Sequence, residues 1–86
     1  MKKKPIVLTM GEPSGIATEI AIKSWIKRKK LGLPIFFLLD DFKKVDFINS
    51  KFNLKAKLIK ISKAREAKQY FDEFLPVLDM KINLKF

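Results

Sequence analysis

Apolar runs alternate with stretches of helical spacing along these 86 residues. Ile6-Val7-Leu8, continued by Thr9 and Met10, is an unbroken apolar run, the pattern of a strand buried on both faces. In "TEIAIKSWIKRKK" the spacing changes. Ile22, Trp25 and Ile26, with Ala21 and Ile20 beside them, form an apolar stripe, while Glu19, Lys23, Lys27 and Lys30 form the wet face. Gly32 stands where a C-terminal cap belongs, and Pro34 prevents continuation. "IFFLL" (Ile35 to Leu39) is a second apolar run ending in Asp40-Asp41. Asp41 can cap a short helix in which Phe42, Val45, Ile48 and Phe52 face inward. "KAKLIKI" reads as a third strand. "KAREAKQYFDEF" is rich in helix formers, with Ala64, Ala67 and Phe71 as its apolar edge. The chain then becomes extended from Leu75, where Pro76 suggests a strand start or an edge strand.

The order is therefore β-α-β-α-β-α-β, which predicts an α/β layer with a parallel-rich sheet and right-handed crossovers. Strands are expected near residues 5–10, 35–39 and 56–61, and helices near 18–30, 41–50 and 63–73. Ile6, Leu8, Ile22, Trp25, Ile26, Phe37, Leu39, Ile48 and Leu58 should be buried. No repeat or linker divides the chain, so residues 1–86 form one piece without an internal boundary. A sheet of three or four such apolar strands leaves an unprotected edge. A domain this small also buries only about 60–65% of the surface that its unfolded chain exposes. The isolated chain should therefore be marginally folded or self-associating, and the whole reads as a piece of something larger.

Composition narrows the chemistry. The chain has no cysteine and no histidine. That removes thiolate metal sites, the commonest metal ligand and the usual general base at neutral pH. The nine acidic residues are dispersed; only Asp40-Asp41 and Asp72-Glu73 are adjacent. The net charge of +10 invites a nucleic-acid reading. Against it, 17 of the 19 basic residues are lysines scattered along the chain, and arginine occurs only as Arg28 and Arg65. The aromatics fall mostly at core positions rather than among surface lysines. A small basic nucleic-acid-binding protein, or a noncatalytic α/β module pairing through its open edge, stays as the alternative. Membrane contact is not expected, since no run approaches the roughly 20 apolar residues needed to span a bilayer. No signal peptide is recognisable either, and the expected location is cytoplasmic.

The stretch between the first strand and the first helix, "TMGEPSGI" (Thr9 to Ile16), carries the candidate chemistry. It is not a Walker A loop, because Ile16-Ala17 follow Gly15 where lysine and a hydroxyl residue are required. It is not the dinucleotide fingerprint either, since Gly11 and Gly15 have the wrong spacing, although Asp40 lies where a ribose-binding acid would. Asp40 reads better as a strand-end or capping residue. Gly11 and Gly15 permit unusual torsions and close approach, Pro13 stiffens the turn, and Ser14 offers a hydroxyl. The following helix N-terminus offers free N–H groups. Glu12 would repel phosphate but could accept hydrogen bonds from a hydroxylated ligand. The residues alone leave a structural turn and a ligand-facing turn equally open.

"PIVLTMGEPSGIATEIAIKSW" resembles the N-terminus of the 4-hydroxythreonine-4-phosphate dehydrogenases. The likeness rests on Gly11, Glu12, Pro13, Ser14, Gly15 and Ile16, on the acidic Glu19, and more loosely on "LPVLDM" (Leu75 to Met80). Family members usually continue Gly-Pro where this chain has Ala17-Thr18, so Thr18 is expected to cap the helix one residue later. The resemblance implies an N-terminal fragment of a larger enzyme with the isocitrate/isopropylmalate dehydrogenase-like fold. It implies NAD- or NADP-dependent oxidation and decarboxylation of 4-phosphohydroxy-threonine in pyridoxal-phosphate biosynthesis, by a homodimer when full length. It also implies a divalent metal (zinc, magnesium or cobalt) held by downstream histidines, so this chain offers no metal ligand and no catalytic residue. Gly11, Glu12, Ser14, Gly15 and Ile16 are the implied cofactor-binding positions, at an interdomain cleft. On this reading the 86 residues alone are inactive.

Overall fold

The computed structural model describes residues 4–9 and 15–79. Four strands, β1 (Ile6–Thr9), β2 (Phe36–Asp40), β3 (Leu58–Ile61) and β4 (Leu75–Asp79), form one sheet in the order β1-β2-β4-β3. Every neighbouring pair is parallel, with Ile6 beside Phe36, Leu38 beside Val77 and Leu58 beside Leu75. The four helices are α1 (Ile16–Ile26), α2 (Arg28–Leu31), α3 (Phe42–Lys51) and α4 (Glu66–Tyr70). The parallel α/β layer is as the alternating pattern requires.

The helices divide between the two faces of the sheet. Ala21, Ile22 and Trp25 of α1 and Val45 and Ile48 of α3 pack with Phe36, Leu38, Leu75 and Val77. On the opposite face Ala67 of α4 packs with Phe37 and Ile61. The chain steps in one direction from β1 to β2 and on to β3, then reverses to β4. Reversing direction while changing face keeps the hand of the crossovers constant. Trp25 anchors the bottom of the larger core: its indole N–H donates to the Phe71 carbonyl at 2.9 Å, and Phe71 meets Phe36 edge-on at 5.1 Å.

Several local expectations are corrected. Helix α1 starts at Ile16, so Thr18 lies inside it rather than capping it; the N-cap is Gly15. The expected single helix near 18–30 divides at Lys27. There the Ser24 hydroxyl donates to the Ile20 carbonyl and the Arg28 guanidinium to the Trp25 carbonyl, drawing the last turn away from regular geometry. Gly32 does close α2 in the left-handed conformation, at φ 63°. Asp41 caps α3 by accepting from the Lys43 N–H at 3.1 Å. The third helix shrinks to Glu66–Tyr70.

A strand does start at Leu75, as Pro76 suggested, but it is not an edge strand. Pro76 is the second residue of β4, which lies between β2 and β3. The Leu75 N–H points toward β3, donating to the Lys57 carbonyl. The missing donor of Pro76 therefore faces β2, where the ladder begins only at Val77. Burial also departs from expectation near β1. Ile22, Trp25, Phe37 and Ile48 are buried, but Leu8, Leu39 and Leu58 are half-buried, and Ile6 and Ile26 are exposed. Phe52 is exposed as well. The reason for Ile6 is topological: among the described residues β1 has a neighbouring strand on one side only.

Candidate functional site

In a parallel sheet all strands deliver their C-terminal ends to one edge, and in open α/β sheets that edge is where ligands bind. Here the edge gathers the end of β1 at Thr9, the end of β2 at Asp40, the end of β4 at Asp79 and the start of α1. Of the five implied cofactor-binding positions, Gly11, Glu12 and Ser14 lie outside the described residues. Gly15 and Ile16 stand at the head of α1. Gly15 has φ +85°, a backbone conformation that L side chains rarely adopt. A Cβ there would come within 2.7 Å of the Ile48 Cδ1 on α3. Glycine is thus demanded here by the backbone conformation, whereas the Ile48 methyl is the end of a side chain that can move aside. The Ile16 side chain, by contrast, faces outward and is exposed.

Asp40 and Asp79 are register partners at the ends of adjacent strands, and both are buried. The Thr18 hydroxyl donates to the Asp40 Oδ2 at 3.2 Å, and the Asp41 N–H donates to the Oδ1 at 2.7 Å. Lys44 Nζ lies 3.4 Å from the same Oδ2, and Lys60 Nζ lies 3.9 Å from the Asp79 Oδ2. Lys60 also sits 5.2 Å above the Phe42 ring. Both carboxylates therefore face ammonium groups, as buried charges must. Both oxygens of Asp40 are engaged by the protein. Its work is to fasten the first turn of α1 to the end of β2, and the strand-end reading is the one the geometry supports.

Asp79 was not singled out by sequence reasoning, yet a signal existed. "FFLLD" and "LPVLD" share a terminal Leu-Asp after an apolar run, and the two strands have the same burial pattern. An apolar run that ends in aspartate marks the strand ends in both cases. Thr18 gave no such signal, because its partner is 22 residues away. Glu19 forms an exposed-side pair with Lys23 at 2.8 Å, one turn along α1.

Among the described residues no three histidine, cysteine, aspartate or glutamate side chains come together. Nor do the described residues include a helix long and apolar enough to cross a membrane. One of the two arginines is committed to the fold: Arg28 stacks on Trp25 with its guanidinium carbon 3.8 Å from the ring, and it donates to the Asp72 carbonyl.

Comparison with known proteins gives a consistent result. The chain is 37% identical to the 4-hydroxythreonine-4-phosphate dehydrogenase of Bradyrhizobium diazoefficiens, over 87% of its own length and 24% of that protein. It is 34% identical to the same enzyme of Zymomonas mobilis, over 90% of its length and 22% of the relative. For the Methylorubrum extorquens enzyme the identity is 32%, over 95% of this chain and 23% of the relative. The chain thus spans about a quarter of the length of these curated relatives. No family model matches it, and no solved structure does.

Proposed function

Because the chain is related over nearly its whole length to 4-hydroxythreonine-4-phosphate dehydrogenases, we propose that it forms the N-terminal layer of such an enzyme. The complete enzyme would oxidise the secondary alcohol of 4-phosphohydroxy-threonine with NAD or NADP and release carbon dioxide from the resulting β-keto acid. Residues 1–86 are then one part of a larger α/β dehydrogenase, with no internal boundary. The observation that carries the reading is the family relation through a segment containing "GEPSGI".

The sheet supports it in one respect. The C-terminal end of β1 at Thr9 and the head of α1 at Gly15 both lie on the edge where ligands enter such layers. When bound, the nicotinamide would accept the hydride. The part assigned to this chain is to bind and orient that cofactor through Gly11, Glu12, Ser14, Gly15 and Ile16. The Thr18–Asp40 bond fastens the head of α1 to the end of β2. A divalent ion finds no ligand set among the described residues, so no step is assigned to one here.

The test uses both lengths of protein. The purified 86-residue chain should reduce no NAD with 4-phosphohydroxy-threonine and a divalent metal, because the reacting groups cannot be brought together by one layer. A longer protein carrying the same segment should turn over. In it, Gly15→Val should lower turnover and leave metal content unchanged, and Ser14→Ala should raise the KM for the cofactor without moving the melting temperature. Turnover by the short chain, or a Ser14→Ala enzyme with an unaltered cofactor KM, would sink the proposal.

A further inference from the structure

Among the described residues, strand β1 is an edge unlike the opposite edge of the sheet. The Ile6 N–H donates to the Ile35 carbonyl, so Ile6 and Leu8 turn their backbone groups toward β2. By alternation, Val7 and Thr9 turn theirs outward, away from the sheet. Pro5, which has no N–H, falls on that outward side too. The opposite edge, β3, is guarded by Lys60 and preceded by Lys55 and Lys57, the usual protection against strand addition. Residues 5–9 carry no charge at all.

Beside this bare edge lies an apolar groove of about 420 Å³ between β1 and α1. Ile6, Leu8 and Phe36 form its floor, and Ala17, Ile20 and Ala21 one wall. Ile6 and Val7 are each 47% exposed, and Ile20 is 59% exposed. Among the described residues of a chain with a net charge of +10, this neutral strip of backbone and side chain is exposed. A second copy would bring another +10 charge to that strip. The relatives, by contrast, contain more than three-quarters of their length beyond what this chain spans.

We propose that the β1 edge and its groove are the docking surface for polypeptide equivalent to that remaining three-quarters. It would add a strand along the outward N–H and C=O groups of Val7 and Thr9 and lay apolar side chains against Ile6 and Ile20. The surface follows from the edge and the family relation, and it does not depend on the catalytic role proposed above.

The experiment co-expresses the tagged 86-residue chain with the Bradyrhizobium diazoefficiens relative from which the matching segment has been deleted. A one-to-one complex should elute on size exclusion. Val7→Pro, which removes only an outward donor, and Ile20→Lys, which charges the groove from an exposed position, should each lower recovery about tenfold. Phe47→Ser, on the exposed side of α3, should leave recovery unchanged. Circular dichroism verifies that the variants fold; should Val7→Pro not fold, Ile20→Lys decides alone. Absence of a complex, a complex indifferent to Ile20→Lys, or a dimer of the short chain that excess partner cannot displace would overturn the proposal. A complex that forms but shows no turnover leaves this surface standing and counts against the catalytic reading.

Discussion

Gly15 shows how a single residue can serve the fold at a place where sequence reasoning looks for a ligand. Its positive φ is a demand of the turn into α1, and the 2.7 Å approach is to the movable end of the Ile48 side chain. Gly15→Ala is therefore expected to destabilise the chain by about 1–2 kcal/mol from the left-handed conformation alone. In a domain of this size that lowers the thermal midpoint by roughly 4–16 °C, measurable by circular dichroism. An unchanged midpoint would mean that the backbone relaxes around the new methyl group. The glycine itself was legible in the sequence, as was Asp41, because both act on backbone within a few residues. Thr18 was misassigned as a cap for the opposite reason. Its hydroxyl serves a carboxylate that only the β-α-β crossover brings near.

At the scale of elements, the five-residue helix α4 has an explicit start signal. Glu66 accepts from the Ser62 N–H, the Ser62 hydroxyl and the Lys63 N–H, each at 2.9 Å. The Ser62 amide above all, with the Ser62 hydroxyl and the Lys63 amide, holds the Glu66 carboxyl below the ordinary 4.5. A carboxylate whose pKa is depressed by folding stabilises the native state above its unfolded pKa, and that contribution is lost as pH falls through the folded value. Thermal melts from about pH 6 down to about pH 3 should therefore show a steeper loss of stability for the parent chain than for Glu66→Gln. Equal slopes would show that the turn into α4 does not depend on the ionised carboxylate. Further along the chain, the fourth strand was readable from Leu75 onward, but its place was not. Pro76 argues for an edge whenever a strand is considered alone, and it is tolerated in the interior because the β2 ladder starts one residue later.

For the whole molecule, charge is the dominant feature that packing does not use. Nineteen basic residues face nine acidic ones, and the ion pairs at Glu19, Asp40 and Asp79 neutralise few of them. Repulsion among exposed lysines opposes the compact state, and salt screens it within about 10 Å at 0.1 M. Raising sodium chloride from about 0.02 M to about 0.3 M, where the screening length shrinks, should therefore raise the melting temperature. A fall in midpoint with salt would show that the ion pairs at the C-terminal edge of the sheet outweigh the surface repulsion. The same surface qualifies the expected absence of aromatic–basic patches: Phe47 on α3 and Phe52 just after it are exposed, with Lys51 Nζ 5.8 and 5.5 Å from their rings.

The element order, the apolar face of α1, the caps at Asp41 and Gly32, and the similarity to the 4-hydroxythreonine-4-phosphate dehydrogenases were all determined by sequence, because each depends on spacing between near neighbours or on contiguous sequence. The strand order β1-β2-β4-β3 was decided only by the tertiary structure, since periodicity records which residues are apolar and not which strand lies beside which. That order puts β1 on the outside and exposes Ile6, although its sequence reads as a buried strand. It also places two aspartates that are 39 residues apart side by side at the ends of β2 and β4. A buried carboxylate must meet donors or cations wherever the fold leaves it. The partners of Asp40 and Asp79 are therefore set by which chain ends converge, and no local pattern in the sequence could specify them.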